Sequence, residues 1–153
     1  LNFNASYKGF DVSMLFQGVS GNSIFSDTKF YLEGYARTNN LGVQTLNRWT
    51  PQNKSDIYPR PYPDVSTDNN RVSSRWIEDG SYLRLKNMQV GYNLPDGTLE
   101  ALHLERARVY IGGQNLLTFT DYLGWEPEVG SNGIDGLTYP QARSIMIGLQ
   151  LGF

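Results

Sequence analysis

The side chains that could support catalysis in this sequence are isolated from one another. His103 is the single histidine and stands beside Glu105 in a short segment between two predicted strands. No nucleophile elbow and no metal-binding pair of histidines accompanies it. The sequence therefore predicts a protein that is not an enzyme and that uses no cofactor.

Oxygen ligands gather in one polar stretch of the chain, at Asp64, Asp68, Asn69 and Asn70. Carboxylate and amide oxygens of this kind could coordinate calcium. Asp and Asn side chains also bond to their own backbone and so form turns, which is the commoner role. We therefore expect turns here and no metal site.

Large aromatic side chains in the long polar connections are candidates for ligand contacts. Their rings could stack on a ring of a ligand, or they could pack the connections internally or anchor them at a membrane interface. Packing and anchoring are the commoner roles. The candidates are Trp49, Trp76, Tyr122 and Trp125.

The elements that must position these residues are strands, and the clearest strand is the last one. In residues 143–153 (RSIMIGLQLGF), apolar side chains alternate with small or polar ones up to Phe153. Successive side chains of a strand point to opposite faces, so this segment has one apolar face and one thin, mostly polar face. A soluble sheet would turn the apolar face inward, whereas an outer-membrane barrel turns it toward lipid.

Alternation of the same kind predicts four further strands. A tight turn at Lys8-Gly9 would join the first two. In the third strand the apolar parity changes midway, which predicts a β-bulge near Lys86-Asn87. The five predicted strands are residues 1–8, 11–18, 81–94, 106–115 and 142–153.

The connections between these strands are short, very long, short and long in turn. Barrels of the outer membrane have short periplasmic turns and long external loops. The pattern predicts an all-β, transmembrane antiparallel barrel segment with external loops at 19–80 and 116–140, and with Phe153 at the periplasmic edge. Short helices are expected around 26–34 and 98–104.

Composition excludes several classes of protein. The 153 residues include no cysteine, which excludes disulfides and thiolate metal sites. No run approaches the roughly 18 apolar residues of a membrane-spanning helix. A net charge of -2 without a basic run argues against nucleic acid as a partner.

The sequence begins inside a strand, without an initiator Met or a signal peptide, and we expect it to be a piece of a longer protein.

Charged and amide side chains on the polar parity of the strands are candidates for the inner face of the barrel. They could guide a polar or anionic solute, or they could pair with carboxylates across the wall or meet lipid headgroups. Pairing is the commoner role. The candidates are Arg84, Lys86, Arg106, Arg108 and Gln114.

Several ordered motifs resemble the C-terminal end of SusC/RagA-type TonB-dependent transporters of Bacteroidetes outer membranes. They cover nearly the whole chain. The motifs are FQGVSGNSIFS (16–26), LNRWTPQNKSD (46–56), WIEDGSYLRLKNMQVGYNLP (76–95), RVYIGGQNLLTFTDYLGWEPEVG (108–130) and GIDGLTYPQARSIMIGLQLGF (133–153).

The resemblance implies a fold and a set of partners. Members of this family form 22-stranded barrels with an N-terminal plug, so the chain would supply the last five strands and the plug would lie outside this sequence. They import oligosaccharides or peptides, work with a SusD-like surface lipoprotein and are energised by TonB. The aromatic candidates would then contact the substrate or the lipoprotein lid, and Phe153 would be a signal for the outer-membrane assembly machinery.

Two other functions remain open at this point. The chain could be a secreted β-sandwich module that binds carbohydrate, with its apolar rows turned inward. It could also belong to a structural barrel that has no role in transport.

Overall fold

A computed structural model describes residues 1–35, 40–61, 68–130 and 132–153 of the chain. It is mostly β, as the alternation predicts. In chain order the elements are β1 (Asn2–Tyr7), β2 (Phe10–Val19), β3 (Ser23–Ser26), α1 (Asp27–Glu33), β4 (Ile77–Asp79), β5 (Tyr82–Asn93), α2 (Asp96–Leu102), β6 (Arg106–Thr120), β7 (Ile134–Asp135) and β8 (Ser144–Gly152).

These elements form two compact units. We call them the sheet unit and the loop unit. The sheet unit contains the five long strands, and the loop unit contains the two long connections between them. The sheet unit consists of Leu1–Ser20, Ser81–Asp121 and Pro140–Phe153, and the loop unit consists of Gly21–Gly80 and Tyr122–Tyr139.

The sheet unit contains one antiparallel sheet with the strand order β1-β2-β5-β6-β8. Its first two strands are joined by the turn at Lys8 and Gly9, whose φ angles are +46° and +85°. Two successive residues with positive φ produce a turn whose twist matches that of the flanking strands. Tyr7 consequently pairs directly with Phe10, which fixes the register of the hairpin.

The register aligns whole rows of side chains across the sheet, because paired residues on neighbouring strands share a face. One apolar row is Ala5, Val12, Val90, Ile111 and Ile147. The adjacent row on the opposite face is Ser6, Asp11, Gly91, Tyr110 and Gly148. The apolar face is open surface in this chain, since Ile145, Ile147 and Leu149 are 70%, 79% and 61% exposed.

The β-bulge predicted for the third strand lies at Lys86 in β5. The register of β5 against β6 shifts between Leu85 and Asn87, and its register against β2 shifts between Leu15 and Phe16. A bulge changes which residues face which side of a sheet. It therefore accounts for the change of apolar parity within β5.

The sequence-based boundaries need two corrections. The fourth strand is predicted over 106–115, but β6 continues to Thr120. Apart from the short helix expected around 26–34, the ranges 19–80 and 116–140 are predicted as loops, but they contain the strands β3, β4 and β7. These strands have four, three and two residues, which is too short for an alternating pattern to identify them.

In the loop unit, β3 lies between β4 and β7. It runs antiparallel to β4 and parallel to β7, with Phe25 paired to Ile134. Helix α1 follows β3 directly because Ser26 caps it: the Ser26 Oγ accepts a hydrogen bond from the Lys29 backbone N–H at 3.2 Å. The two long connections are thus joined into one small sheet.

Both α-helices have seven residues. Within the part of the chain that the structure describes, neither is long and apolar enough to cross a membrane. His103 ends α2 in the left-handed conformation, and its backbone N–H bonds to the carbonyls of Glu100 and Leu99. The histidine thus occupies a helix C-cap position.

Candidate functional site

The polar face of the sheet carries a bidentate ion pair that spans three strands. Arg108 on β6 reaches across β5 to Asp11 on β2, and its Nε donates to Asp11 Oδ1 at 2.9 Å while its Nη2 donates to Oδ2. Asn93 Nδ2 on β5 donates to the same Oδ1 at 3.2 Å. Two parallel charge-assisted hydrogen bonds fix both the position and the plane of the guanidinium.

A glycine makes this crossing possible. Gly91 on β5 lies beneath the Arg108 side chain, and a Cβ at this position would approach the guanidinium atoms to 2.4–2.6 Å. The same arrangement recurs along the polar face, where the Tyr110 ring occupies the space over Gly148. Long polar side chains therefore lie flat along the sheet.

The predicted inner-face residues do not converge on one site. Arg108 also contacts Gln150, whose Oε1 accepts from Nη1 at 3.4 Å. Arg84 is nearly buried, and its Nε donates to Thr118 Oγ1 at 2.9 Å. It lies at the opposite end of β5 from Asn93, the partner of Arg108.

The remaining inner-face candidates occupy intermediate positions. Gln114 is exposed and pairs with Asn87 and Ser144. Lys86 is half-buried at the bulge. Arg106 lies over Gly152, at the end of the strand pair β6–β8.

The aromatic candidates separate into buried and accessible rings. Trp76 is completely buried, which corrects its interpretation as a ligand-contacting surface. Its ring packs edge-on against Phe30 at 5.3 Å between centroids, and its Nε1 donates to the Arg71 carbonyl at 2.8 Å. Trp125, in contrast, is 69% exposed, and Trp49 lines an open cavity.

Tyr122 needs the same correction, because it is buried within the loop unit. Its hydroxyl donates to Asp135 Oδ2 at 2.6 Å, which joins the start of the segment 122–139 to β7. Burial, followed by the hydrogen bond to Asp135, raises the pKa of the Tyr122 phenol well above its usual value. The phenol therefore stays protonated and serves as a donor to the carboxylate at neutral pH.

A second polar contact supports the small sheet of the loop unit. Lys29 on α1 forms an ion pair with Glu78 on β4, with 3.1 Å between Nζ and Oε1. Asp135 Oδ1 accepts from the Thr138 backbone N–H at 2.8 Å. Sequence reasoning missed Asp11 and Asp135, although Asp11 has the polar parity of its strand.

The calcium hypothesis concerns residues that the structure describes only in part. Asp64 and the Asp68 side chain lie outside the described residues. Asn69 Nδ2 donates to the Arg60 carbonyl at 3.1 Å. Among the described residues, no group of three or more His, Cys, Asp or Glu side chains could hold a metal ion.

Comparison with known proteins gives relatives of one kind. The chain is 39% identical to TonB-dependent receptor P3 of Formosa agariphila, over 99% of this chain and 16% of that protein. It is 27% identical to TonB-dependent receptor SusC of Bacteroides thetaiotaomicron, over 100% of this chain and 15% of that protein. It also superimposes on a chain of the RagAB peptide transporter with a TM-score of 0.85 and 28% identity, over 99% of this chain and 17% of that one.

The chain belongs to the SusC-like TonB-dependent receptors. It corresponds to a C-terminal portion of such a receptor and spans about 16% of the length of the first of these relatives. No protein-family model matches it. The resemblance found in the ordered sequence motifs is thereby confirmed.

In this receptor segment we expect Gly91→Ala to displace the Arg108 side chain and to destabilise the sheet. The same substitution should have a smaller effect when Arg108→Ser has already emptied the space over Gly91. The measurement is the temperature at which the full receptor loses its compact, SDS-resistant mobility, determined for each single variant and for the double variant.

Gly112→Ala is a matched control on the polar face, since a Cβ there would have its nearest neighbours at 3.4 Å. It should leave that temperature almost unchanged. Strictly additive effects of Gly91→Ala and Arg108→Ser would contradict the interpretation.

Tyr122→Phe should weaken the loop unit by about 1–3 kcal/mol, because it removes the donor to the buried Asp135 carboxylate. The substitution should also change the pH dependence. The raised pKa means that the Tyr122 contribution is complete below the ordinary phenol pKa of about 10 and is lost as the pH rises toward the higher folded-state value. Resistance of the full receptor to an alkaline protease between pH 8 and pH 11 measures both effects.

Wild-type receptor should lose protection in the loop unit above about pH 10, and Tyr122→Phe should show a smaller loss. Tyr35, whose pKa burial also raises, accounts for a residual loss in the variant. Tyr139→Phe is the control, because Tyr139 is 82% exposed. Equal protection of Tyr122→Phe and wild type at every pH would disprove the role of the Tyr122 hydroxyl.

Proposed function

We propose that this receptor segment forms the last five strands of a closed, 22-stranded outer-membrane barrel that imports oligosaccharides or peptides. The relatives are named as TonB-dependent receptors, and the structural neighbours are described as a peptide importer. The five-stranded antiparallel sheet is of the kind from which such barrels are built. Transport here is passage of a solute, without bond chemistry in the segment.

The exposed apolar face of the sheet carries this proposal. A β-sandwich buries one face of each sheet against the other sheet, so the competing module would bury the row that contains Val90, Ile111 and Ile147. Ile111 and Ile147 are instead 50% and 79% exposed. A continuous apolar face of this kind suits contact with lipid.

The opposite face suits the inside of a barrel. It presents amides, hydroxyls and the Arg108–Asp11 pair, all of which can be hydrated or can contact a polar solute. Because Arg108 is tied to Asp11, this part of the lining carries a fixed charge pair.

The two outer strands of the sheet point to its place in the barrel. β1 and β8 each pair on one side within this chain, and β8 leads directly to Phe153, which is 85% exposed. In a closed barrel the outer side of β8 pairs with the first strand and that of β1 pairs with the preceding strand. As the family resemblance implies, Phe153 would then be a signal for the outer-membrane assembly machinery.

Part of the loop unit is suited to contact a SusD-like lipoprotein lid. Segment 122–139 presents large apolar side chains to solvent, and such side chains are typical of protein interfaces. Energy would reach the barrel from TonB through a plug encoded outside this sequence. The most exposed of these residues are Leu123, Trp125, Leu137 and Tyr139, at 81%, 69%, 60% and 82%.

The lipid-facing orientation predicts a difference between neighbouring residues of β5. Val90→Arg places a charge on the apolar face and should cost about 2–4 kcal/mol if it lies near the bilayer midplane. Gln89→Arg places the same charge on the polar face and should be tolerated. Urea unfolding of the full receptor in lipid vesicles measures both, and equal tolerance of the two variants would contradict this orientation.

The importer role predicts that uptake of a labelled oligosaccharide or peptide pool requires the full receptor, its lipoprotein and TonB. Combining Trp125→Ala with Tyr139→Ala should weaken co-purification of the lipoprotein about tenfold or more, since buried interface aromatics commonly contribute over 1 kcal/mol each. Uptake should fall in parallel, with an unchanged receptor level in the outer membrane.

A matched control combines Val43→Ala with Leu46→Ala, which are also exposed in the loop unit but lie in another segment. This control should retain the lipoprotein. Uptake that continues without TonB would refute the importer role. Full assembly without uptake of any pool would favour the structural barrel.

A further inference from the structure

The apolar face of the sheet unit has a depression at Gly113. Paired residues of neighbouring strands form one row at this level, which consists of Phe3, Met14, Met88, Gly113 and Ile145. Gly113 is the member of this row without a side chain, so the surface drops to the backbone between its two neighbours. The result is a groove of about 230 Å³, which we call the Gly113 groove.

The bulge in the sheet supplies one wall of the Gly113 groove. Opposite Lys86 of β5, strand β6 has two residues, Asn115 and Leu116, and Asn115 has a φ angle of +51°. A bulge of this kind re-aims the neighbouring side chain. Leu116 leans over Gly113, because a Cβ on the glycine would approach Leu116 Cδ2 to 2.6 Å. The bulge therefore closes the groove at one end.

The chemistry of the lining favours a hydrocarbon chain. Besides the backbone of the glycines at 112 and 113, the lining consists of Met88, Val90, Ile111, Leu116 and Ile145. A polar ligand would lose its hydrogen bonds with water against such a surface. Lipid tails are as apolar as these side chains, so a tail binds here through packing, and a concave surface gives it more contacts than a flat one. The volume is below the range for whole small-molecule sites and suits a segment of a chain.

An exposed arginine lies where the headgroup of such a lipid would be. Arg143 directly precedes β8, and it is two residues from Ile145 of the groove, a separation of about 7 Å that keeps the same face. The nine residues of β8 match one tilted membrane crossing. In the orientation proposed above, Arg143 therefore lies at the external interface. A guanidinium at this depth attracts anionic headgroups and can donate two parallel hydrogen bonds to a phosphate.

We propose that the Gly113 groove binds an acyl chain of an anionic, phosphate-bearing lipid of the external leaflet, and that Arg143 binds its phosphate. The proposal rests on the lipid-facing orientation of the apolar face and adds a preferred lipid at one place on it. An acyl chain of the partner lipoprotein would also suit the groove. That anchor carries no phosphate, however, so the position of Arg143 favours the anionic lipid.

Photolabelling of the full receptor in phosphatidylcholine vesicles tests this site. Two probes carry the same diazirine in one acyl chain and differ in the headgroup, which is phosphatidylglycerol or phosphatidylcholine. Peptide mass spectrometry identifies the labelled residues. At Met88, Leu116 and Ile145 we expect the phosphatidylglycerol probe to label about fivefold more, since one arginine near the membrane surface contributes about 1 kcal/mol. Leu149, on the same face outside the groove, should react equally with both probes.

Two pairs of variants assign the labelling to the arginine and to the groove. Arg143→Gln should abolish the preference for phosphatidylglycerol, whereas Arg143→Lys keeps the charge and should retain most of it. Ile111→Phe places a larger ring in the groove and should lower labelling there by both probes. Ile147→Phe is the matched control, because Ile147 pairs with Ile111 on the same face but does not line the groove.

Equal labelling of the groove by both probes, or an unchanged preference in Arg143→Gln, would overturn the proposal. Loss of labelling when the lipoprotein is bound would also overturn it, because the acyl chains of the lipoprotein would then occupy the groove. In each of these cases, labelling of Leu149 shows that the apolar face still contacts lipid. Absence of labelling at Leu149 as well would instead contradict the lipid-facing orientation itself, so the two failures are distinguishable.

Discussion

The strict two-residue period of the side chains, held across five hydrogen-bonded strands, is the constraint on which the sheet unit depends. A slip of one residue in any pair would move an entire apolar row to the polar face. The Lys8-Gly9 turn fixes the register of β1 against β2. The bulge at Lys86 allows the apolar parity of β5 to change within an otherwise continuous strand.

The period also explains what could be predicted from sequence. The terminal strand was recognisable because nine of its residues form one uninterrupted strand with alternating chemistry. The loop unit was not, because β3 and β7 are short and pair in parallel across more than 100 residues of sequence. No local pattern encodes such a pairing, which depends on tertiary contacts around Ile24 and Trp76.

Individual site residues show the same limit. Trp76 and Trp125 both lie in the long connections between the strands of the sheet unit, yet one is fully buried and the other is largely exposed. Composition cannot distinguish them, since burial depends on partners such as Phe30 that approach from another element. Likewise, the alternation of side chains predicts that Arg108 lies on the polar face of its strand. Its partner Asp11 lies two strands away, and their ion pair depends on the space that Gly91 leaves for the Arg108 side chain.

The two units therefore differ in how freely their residues can vary. In the sheet unit, each position must satisfy a face, a register and a neighbour on each side, and glycines such as Gly91 and Gly148 are required by the side chains that cross them. The connections of the loop unit are held in part through backbone groups: the Arg60 carbonyl accepts from Asn69 Nδ2, and the Arg71 carbonyl accepts from Trp76 Nε1. Because every residue has a backbone carbonyl, these two hydrogen bonds do not depend on which side chains stand at positions 60 and 71. Side chains at such positions of the loop unit can therefore vary while the alternation that stabilises the sheet is preserved.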